Sequence, residues 1–186
     1  MSSTPDASSG LAGTKEAAAI FGVRTQNFRR DWAKRPDFPV PIADLAATPV
    51  WRRADLETYR DRHRAIRWPP RRRELKLSPE AQRWLPIVKR RLVRGFHPDR
   101  IVLFGSQARG DATAASDVDL LVVLPVQDRR FAAATMYAAL GGVPIGTDIF
   151  VASVDDIERF GDLPGTILAP ALAEGVSLYA RPQVRS

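Results

Sequence analysis

An apolar strand that runs directly into Gly105-Ser106, followed after ten residues by an Asp-Val-Asp run, constrains this chain more than any other feature. Residues 100–104 are largely β-branched or apolar, which predicts a β-strand. A strand that ends in Gly-Ser and opens a short helix exposes backbone N–H groups at a positive helix terminus, and these attract phosphate. Gly105 has no Cβ, so phosphate can approach closely, and Ser106 adds a hydroxyl donor. The pattern predicts an α/β domain with a phosphate-binding turn.

The Asp-Val-Asp run indicates a site for a divalent cation. Asp117 and Asp119 lie two apart on the next predicted strand, so their side chains point to the same face. Adjacent carboxylates repel each other and are costly to bury unpaired. Mg²⁺ resolves this conflict, because it is usually held by one or two carboxylates together with substrate phosphates. The alternative is that these aspartates are loop residues or remnants of an inactive enzyme.

A third carboxylate is expected on an adjacent strand. Asp148 is the only acid in the short apolar stretch 146–151. Three carboxylates that face one Gly-Ser turn can assemble a two-metal site for in-line phosphoryl-type transfer. We therefore predict two Mg²⁺ ions at Asp117, Asp119 and Asp148.

Residues 99–124, together with the later Asp148, resemble the minimal nucleotidyltransferases of the DNA polymerase β superfamily. The resemblance implies a mixed β-sheet flanked by helices. It also implies that Asp117 and Asp119 bind the metals that carry the triphosphate of an NTP. Asp148 would complete the second metal site, where the acceptor hydroxyl is deprotonated.

The same resemblance assigns the phosphate ligands. Gly105 and Ser106 would hold the triphosphate, and Arg109, one helical turn on, could reach the same charge or form a local salt bridge. Gln107 departs from the Arg that is common at its position. This departure leaves nucleotide affinity and choice open, but it does not put the predicted metal site in doubt.

The N-terminal part reads as a small helical module. Thr14 can N-cap a helix through Ile20, and Gly22 can end it in a left-handed conformation. A second helix is predicted over 25–34, a hairpin from 40–42 and 50–52, and a third helix over 54–64. We expect Phe28, Trp32, Phe38 and Trp51 to form its core.

Residues 13–62 resemble the excisionase-like and MerR-like winged helix-turn-helix proteins, through 15–23, 37–41 and 50–56. The resemblance implies that residues 24–34 form a recognition helix, because Arg and Asn can read purine edges. Arg24 departs from the usual capping Ser or Thr. The alternatives are a scaffold for a protein partner and a helix-turn-helix that no longer binds DNA. The residues predicted to face DNA are Arg24, Gln26, Asn27, Arg29 and Arg30.

Charge is distributed unevenly along the chain. The net charge of +7 combines +1 over residues 1–51, +10 over 52–94 and −4 over 95–186. The basic middle suits a phosphate backbone, or else it is a solvated linker. No cysteine is present, so disulfides are excluded, and the apolar runs are too short to cross a bilayer. We expect a cytoplasmic protein.

These observations predict an α+β, two-domain chain. The predicted parts are a disordered tail at 1–10, a winged helix-turn-helix domain at 11–63, a basic, proline-containing linker at 64–77, a minimal nucleotidyltransferase domain at 78–181 and a tail at 182–186. By the same resemblance, relatives that modify antibiotics or tRNA ends usually bind the acceptor with a large C-terminal helical domain, and we expect no such domain in the residues after Asp148. We therefore expect a partner chain to hold the acceptor.

The leading functional hypothesis is a DNA-binding protein that transfers AMP from ATP to a hydroxyl of a partner protein. The resemblance to minimal nucleotidyltransferases implies that this partner is a HEPN-type toxin and that the chain is its antitoxin, which would use its helix-turn-helix to repress its own operon. One alternative is a transcriptional regulator whose second domain senses a nucleotide without turnover. Another is nucleotidyl transfer to RNA, which the basic middle favours. A homodimer is expected because helix-turn-helix proteins often pair to match two half-sites.

Overall fold

The structure is a computed structural model that describes residues 10–35, 37–45, 47–71 and 74–181. The described chain divides into two compact units, one within residues 10–65 and the other over 66–181. The tails expected at 1–10 and 182–186 lie, apart from Gly10, outside the described residues. None of the helices in the described ranges combines the length and the apolar character that crossing a membrane requires.

The first unit has short helices and a small antiparallel sheet of order β1-β3-β2. Its elements are β1 (Leu11–Ala12), α1 (Thr14–Ile20), α2 (Thr25–Asp31), β2 (Ala43–Leu45), β3 (Thr48–Arg52) and α3 (Arg53–Ala65). Gly22 has φ +64, the left-handed conformation expected after α1. The order of helices, hairpin and closing helix agrees with the predicted order.

Two local predictions in this unit are wrong. The N-cap of α1 is Gly13, and Thr14 is the first helical residue, with a buried hydroxyl that has no hydrogen-bond partner. The hairpin pairs 43–45 with 48–50 instead of beginning at 40. Pro39 and Pro41 have no N–H to donate to a strand ladder, and the first bond to β3 is donated by Ile42 (2.8 Å to the Val50 carbonyl).

Aromatic side chains form the core of the first unit. Phe21 lies near its centre, with ring-centroid distances of 4.7 Å to Trp32 and 5.7 Å to Phe38. The rings of Phe28 and Trp51 meet edge to face at 5.7 Å. The four aromatic residues expected to form this core are all buried, which confirms that prediction.

The second unit is built on a mixed sheet of order β6-β5-β4-β7, in which β5 and β6 are parallel and the other neighbours are antiparallel. Its elements are α4 (Pro79–Phe96), β4 (Arg100–Phe104), α5 (Gly105–Arg109), β5 (Val118–Val123), α6 (Arg129–Ala139), β6 (Thr147–Ala152), α7 (Val154–Phe160), α8 (Leu168–Ala173) and β7 (Val176–Ala180). This mixed α/β arrangement is compatible with a nucleotidyltransferase fold.

Helices cover both faces of the sheet. Residues of α4 and α6, including Val88 and Met136, share one buried cluster with Leu120 and Val122 of β5. Residues of α7 and α8 share the other with Leu121 and Val123. Side chains alternate along a strand, so Asp119 belongs to the face covered by α7 and α8.

The segment after residue 65, which was expected to be a linker, packs against the second unit. Ile66 and Trp68 pack against the cluster under α7 and α8, and the guanidinium of Arg100 lies 4.5 Å from the centre of the Trp68 ring. The pKa of Arg100 is lowered to about 10, first by burial and then by repulsion from Arg71, against a smaller opposing effect of Asp99.

Backbone polar groups also tie this segment to β7. Ser177 donates its N–H to the Pro70 carbonyl (3.0 Å) and its hydroxyl to the Pro69 carbonyl (2.7 Å). Prolines cannot donate to a strand, but their carbonyls accept. The described residues of 66–77 are therefore part of the second unit.

Candidate functional site

The turn between β4 and α5 brings the backbone against an acid. Gly105 has φ +66, a conformation that favours glycine. A side chain at position 105 would overlap the carboxylate of Asp119. The backbone conformation of the turn therefore favours glycine here, and any larger residue would displace the Asp119 carboxylate.

The strand register gathers the three predicted acids at one edge of the sheet. Asp119 is the direct neighbour of Asp148 in the parallel pair β5 and β6, and it faces Phe104 across the antiparallel pair β4 and β5. Asp117, two residues before Asp119, has the same orientation. Ile149 is buried in the opposite cluster, so Asp148 belongs to the same face as Asp119.

Gly146 contributes to this site although no sequence motif marks it. A side chain at position 146 would overlap the carboxylate of Asp117, and the Gly146 carbonyl accepts a hydrogen bond from the Val118 N–H (2.8 Å). Gly146 thus lets Asp117 lie against the start of β6. Only the pairing of β5 with β6 reveals this role.

Tyr137 is a second residue that sequence reasoning did not assign to the site. Its hydroxyl accepts a hydrogen bond from the backbone N–H of Ile149 (2.8 Å), immediately after Asp148. Because β6 is an edge strand, this N–H has no strand partner on its outer side. Tyr137 therefore anchors the part of β6 that carries Asp148.

The three carboxylates interact electrostatically. The pKa of Asp119 is raised above its ordinary value, first because burial disfavours its charge and then because Asp148 and Asp117 repel it. Arg109 opposes this with a smaller lowering effect. Asp117 and Asp148 are exposed, whereas Asp119 is partly buried. A cation between the carboxylates would relieve the repulsion.

The donor chemistry of these acids suits Mg²⁺, which prefers carboxylate oxygens and substrate phosphates. Within the described ranges, no three His, Cys, Asp or Glu side chains converge closely enough to hold a metal ion as they stand. Asp119 and Asp148 are nevertheless direct neighbours in the parallel strand pair, and Asp117 is among the charges that act on Asp119. These three residues are the ones that would hold the ion.

Arg109 is engaged with neighbouring acids. Its Nε donates to Asp111 (3.1 Å), and its Nη1 donates to Glu174 (3.0 Å). The contact with Asp111 is the local salt bridge that the sequence left open, and the contact with Glu174 is a long-range one. The role of Arg109 as a phosphate ligand stays a prediction, and it requires these ion pairs to exchange.

The five residues predicted to contact DNA lie on and beside α2. Phe28 is fully buried on the inner side of this helix. Arg24 is the N-cap, without a side-chain capping bond, and Arg30 donates to Asn27 (3.4 Å). Asn27 is partly buried, and the exposed members of the set are Arg24, Gln26, Arg29 and Arg30. Their contact with DNA stays a prediction.

Comparisons with known proteins support the general chemistry of the second unit. The family model of the nucleotidyltransferase domain matches residues 85–162. No curated protein matches the sequence. The solved structure of a proposed nucleotidyltransferase from Sulfolobus solfataricus is similar at 21% identity and a TM-score of 0.40, over 55% of this chain and 85% of that chain. The match to the family model supports nucleotidyl transfer in general as the chemistry of residues 85–162.

Proposed function

We propose, from the match to the nucleotidyltransferase domain family, that this chain transfers AMP from ATP to a hydroxyl of a partner protein. The observation that carries the proposal is the register of Asp119 beside Asp148, with Asp117 on the same face and Gly105 packed against Asp119. Acids gathered against a phosphate-binding turn suit phosphoryl-type transfer.

The reaction makes and breaks one bond each at the α-phosphorus of ATP. The acceptor oxygen forms a bond to this phosphorus, and the bond to the bridging oxygen of the β-phosphate breaks, so pyrophosphate leaves. The Asp148 carboxylate takes the hydroxyl proton. Ser106 and the first backbone N–H groups of α5 hold the triphosphate, since these N–H groups have no acceptor within the helix. Asp117, Asp119 and Asp148 would hold Mg²⁺, which would supply neutralisation of the developing phosphate charge.

The position of Asp148 supports a macromolecular acceptor. It lies on the edge strand β6 and is exposed, so the side chain of another protein can reach it. By resemblance to minimal nucleotidyltransferases, the acceptor in this proposal is a Tyr, Ser or Thr hydroxyl of a HEPN-type toxin. The chain would then act as the antitoxin.

The test is transfer of label from ATP. The full chain is incubated with α-labelled ATP, Mg²⁺ and the product of the neighbouring gene, and protein and RNA are separated before counting. We expect label on the partner protein and its loss in Asp117→Ala. Absence of transfer, or transfer that survives this substitution, would contradict the proposal.

We further propose that the first unit binds DNA, as a dimer on the promoter of its own operon. The exposed Arg24, Arg29 and Arg30 support this, because such a cluster on one helix suits a phosphate backbone and base edges. Binding to the upstream DNA, measured by mobility shift at several salt concentrations, tests it.

A second candidate is a regulator whose second unit senses a nucleotide without turnover. The ion pairs of Arg109 with Asp111 and Glu174 favour it, because they engage the guanidinium that transfer would otherwise use to bind phosphate. Both candidates predict Mg²⁺-dependent ATP binding. Release of pyrophosphate distinguishes them, because only transfer produces it.

Nucleotidyl transfer to RNA is the remaining alternative. Helix α4 carries exposed basic side chains at Arg83, Arg90 and Arg94, which recur at helical spacing. These residues could hold an RNA backbone. The assay described above separates this alternative directly, because it predicts labelled RNA instead of labelled protein.

A further inference from the structure

We propose that Gln107 is a positioning residue that holds the 110–117 loop, and through it Asp117, in the geometry needed for metal binding. The inference rests on the proposed function and concerns the metal site within it. Gln107 is fully buried. It stands one residue after the Gly-Ser turn and contacts both the start of α4 and the end of this loop.

Both the oxygen and the nitrogen of the Gln107 side-chain amide form hydrogen bonds. Its Oε1 accepts from the backbone N–H of Ser78 (3.0 Å). Its Nε2 donates to the Ser78 hydroxyl (3.0 Å) and to the Ser116 carbonyl (3.2 Å). A backbone N–H can only donate and a carbonyl can only accept, so this orientation of the amide is the one that satisfies all three partners.

The bond to Ser116 links the loop to the buried interior. Within the loop, Ser116 and Thr113 bond to each other: the Ser116 hydroxyl accepts from the Thr113 N–H (2.9 Å), and the Ser116 N–H donates to the Thr113 carbonyl (3.1 Å). These bonds shape the loop but do not attach it to the core. Gln107 makes that attachment one residue before Asp117.

The direction of Asp117 depends on this attachment. The peptide group whose carbonyl bonds to Gln107 joins Ser116 to Asp117, so rotation of this group would turn the Asp117 side chain. The Asp117 carboxylate lies in the space that a Cβ at position 146 would fill, so a small displacement of Asp117 changes its contact with the Gly146 backbone. Residues behind metal ligands typically change metal affinity by about 10–100-fold when replaced.

Burial also distinguishes Gln107 from a phosphate ligand. A side chain with no exposed surface and three internal hydrogen bonds cannot reach a nucleotide without unfolding its surroundings. Where related proteins commonly have Arg, this chain therefore uses an amide to fix the loop. The expected effect of replacing it is on the metal site and not on direct phosphate contact.

The test compares Gln107→Met with Ser78→Ala in the full chain. Ser78→Ala removes the N-cap bond to Ala81 and one bond to Gln107, but leaves the bond from Gln107 to Ser116. Hydrogen exchange of the 110–117 amides reports on the loop, and electron paramagnetic resonance measures Mn²⁺ affinity. For Gln107→Met we expect faster exchange at 110–117 and about 10-fold weaker Mn²⁺ binding. For Ser78→Ala we expect the exchange rates at 110–117 and the Mn²⁺ affinity to stay near the wild-type values.

Equal effects of the two substitutions, or no effect of Gln107→Met on the loop, would overturn the assignment. If Gln107→Met does not fold, Gln107→Glu replaces it, since it keeps an acceptor for the Ser78 N–H and loses the donor to Ser116. Failure of both to fold would make the role structural only and would also overturn the proposal. Absence of nucleotidyl transfer in the wild type would contradict the proposed function, while hydrogen exchange would still decide the role of Gln107.

Discussion

At the scale of single residues, two glycines set how closely the acids approach the backbone. Gly105 faces Asp119 and Gly146 faces Asp117, so each carboxylate occupies the space that a Cβ would fill. The two contacts come from different parts of the chain. Together they place two acids at the start of β5 against the backbone that follows β4 and the backbone that precedes β6, so an added Cβ at either position would displace a carboxylate.

Substitution of Gly105 tests this requirement. Gly105→Ala should destabilise the chain by about 1–2 kcal/mol through its left-handed backbone and should lower transfer by on the order of 100-fold, because Asp119 must move. Gly142→Ala is the matched control: its φ is +79, but nothing lies within 4 Å of an added Cβ. Thermal unfolding and initial rates check both. Equal rates in the two variants would contradict the importance of the Asp119 contact.

The pH dependence of stability follows from Asp119. Its pKa is raised in the folded chain, so the folded state binds this proton more tightly than the unfolded state. The contribution of Asp119 to the free energy of unfolding therefore falls as pH rises from its ordinary value of 3.8 through the raised pKa.

Asp119→Asn should consequently raise Tm at pH 7 in the presence of EDTA, while abolishing transfer. The exposed Asp162, which is not among the charges that act on Asp119, provides the control substitution Asp162→Asn. A Tm for Asp119→Asn that is unchanged or lower than the wild type would argue against repulsion among the three acids.

Much of the site could be predicted at this scale because its signals are local. The Gly-Ser turn and the spacing of Asp117 and Asp119 depend only on neighbouring residues. Gly146 could not be predicted, since its role arises from the pairing of β5 with β6. The same holds for Arg109, whose partner Glu174 is 65 residues away in the chain.

At the scale of elements, long-range contacts explain where sequence patterns fail. Helix α6 is absent from the predicted elements, although Ala132, Met136 and Leu140 recur every fourth residue and are all buried. The hairpin strand β2 is exposed along its length, so no alternation of apolar and polar residues marks where it starts. Helix α7, in contrast, carries a local sequence signal, since two acidic residues lie in its first turn.

The start of α7 is a measurable source of stability. Asp156 forms a capping box with Ser153 and accepts two hydrogen bonds from Arg129, at the start of α6. Asp156→Ala should reduce the free energy of unfolding by about 1–3 kcal/mol, because it removes the cap and leaves its donors unpaired. Denaturant unfolding measures the loss. Asp162→Ala, at an exposed position, should change it by less than about 0.5 kcal/mol, and a similar loss in both would refute the capping role.

At the scale of the whole molecule, the chain combines two compact units that carry different candidate sites. The basic helix α2 belongs to the first and the three acids to the second. Each unit has its own buried cluster of apolar side chains. The proposed DNA binding and nucleotidyl transfer should therefore respond to different substitutions.

Arg29→Ala should weaken binding to the upstream DNA and lower the slope of log affinity against log salt by about 1, because one phosphate contact is lost. Transfer of label should stay at the wild-type rate. Lys15→Ala, an exposed basic residue on α1, is the control for charge alone. Loss of DNA binding in Asp117→Ala, or an unchanged salt slope in Arg29→Ala, would contradict this separation.

The hydrogen bonds from Ser177 to Pro69 and Pro70 determine where the second unit can be joined to a different N-terminal domain. Exchange of the first unit for another domain would be tolerated at residue 65 or 66, where the joined sequence keeps these carbonyls. A junction at residue 78 would expose the outer edge of β7 and invite strand pairing between molecules. A transferable second unit therefore begins at Ile66, thirteen residues before Pro79, where its first helix starts.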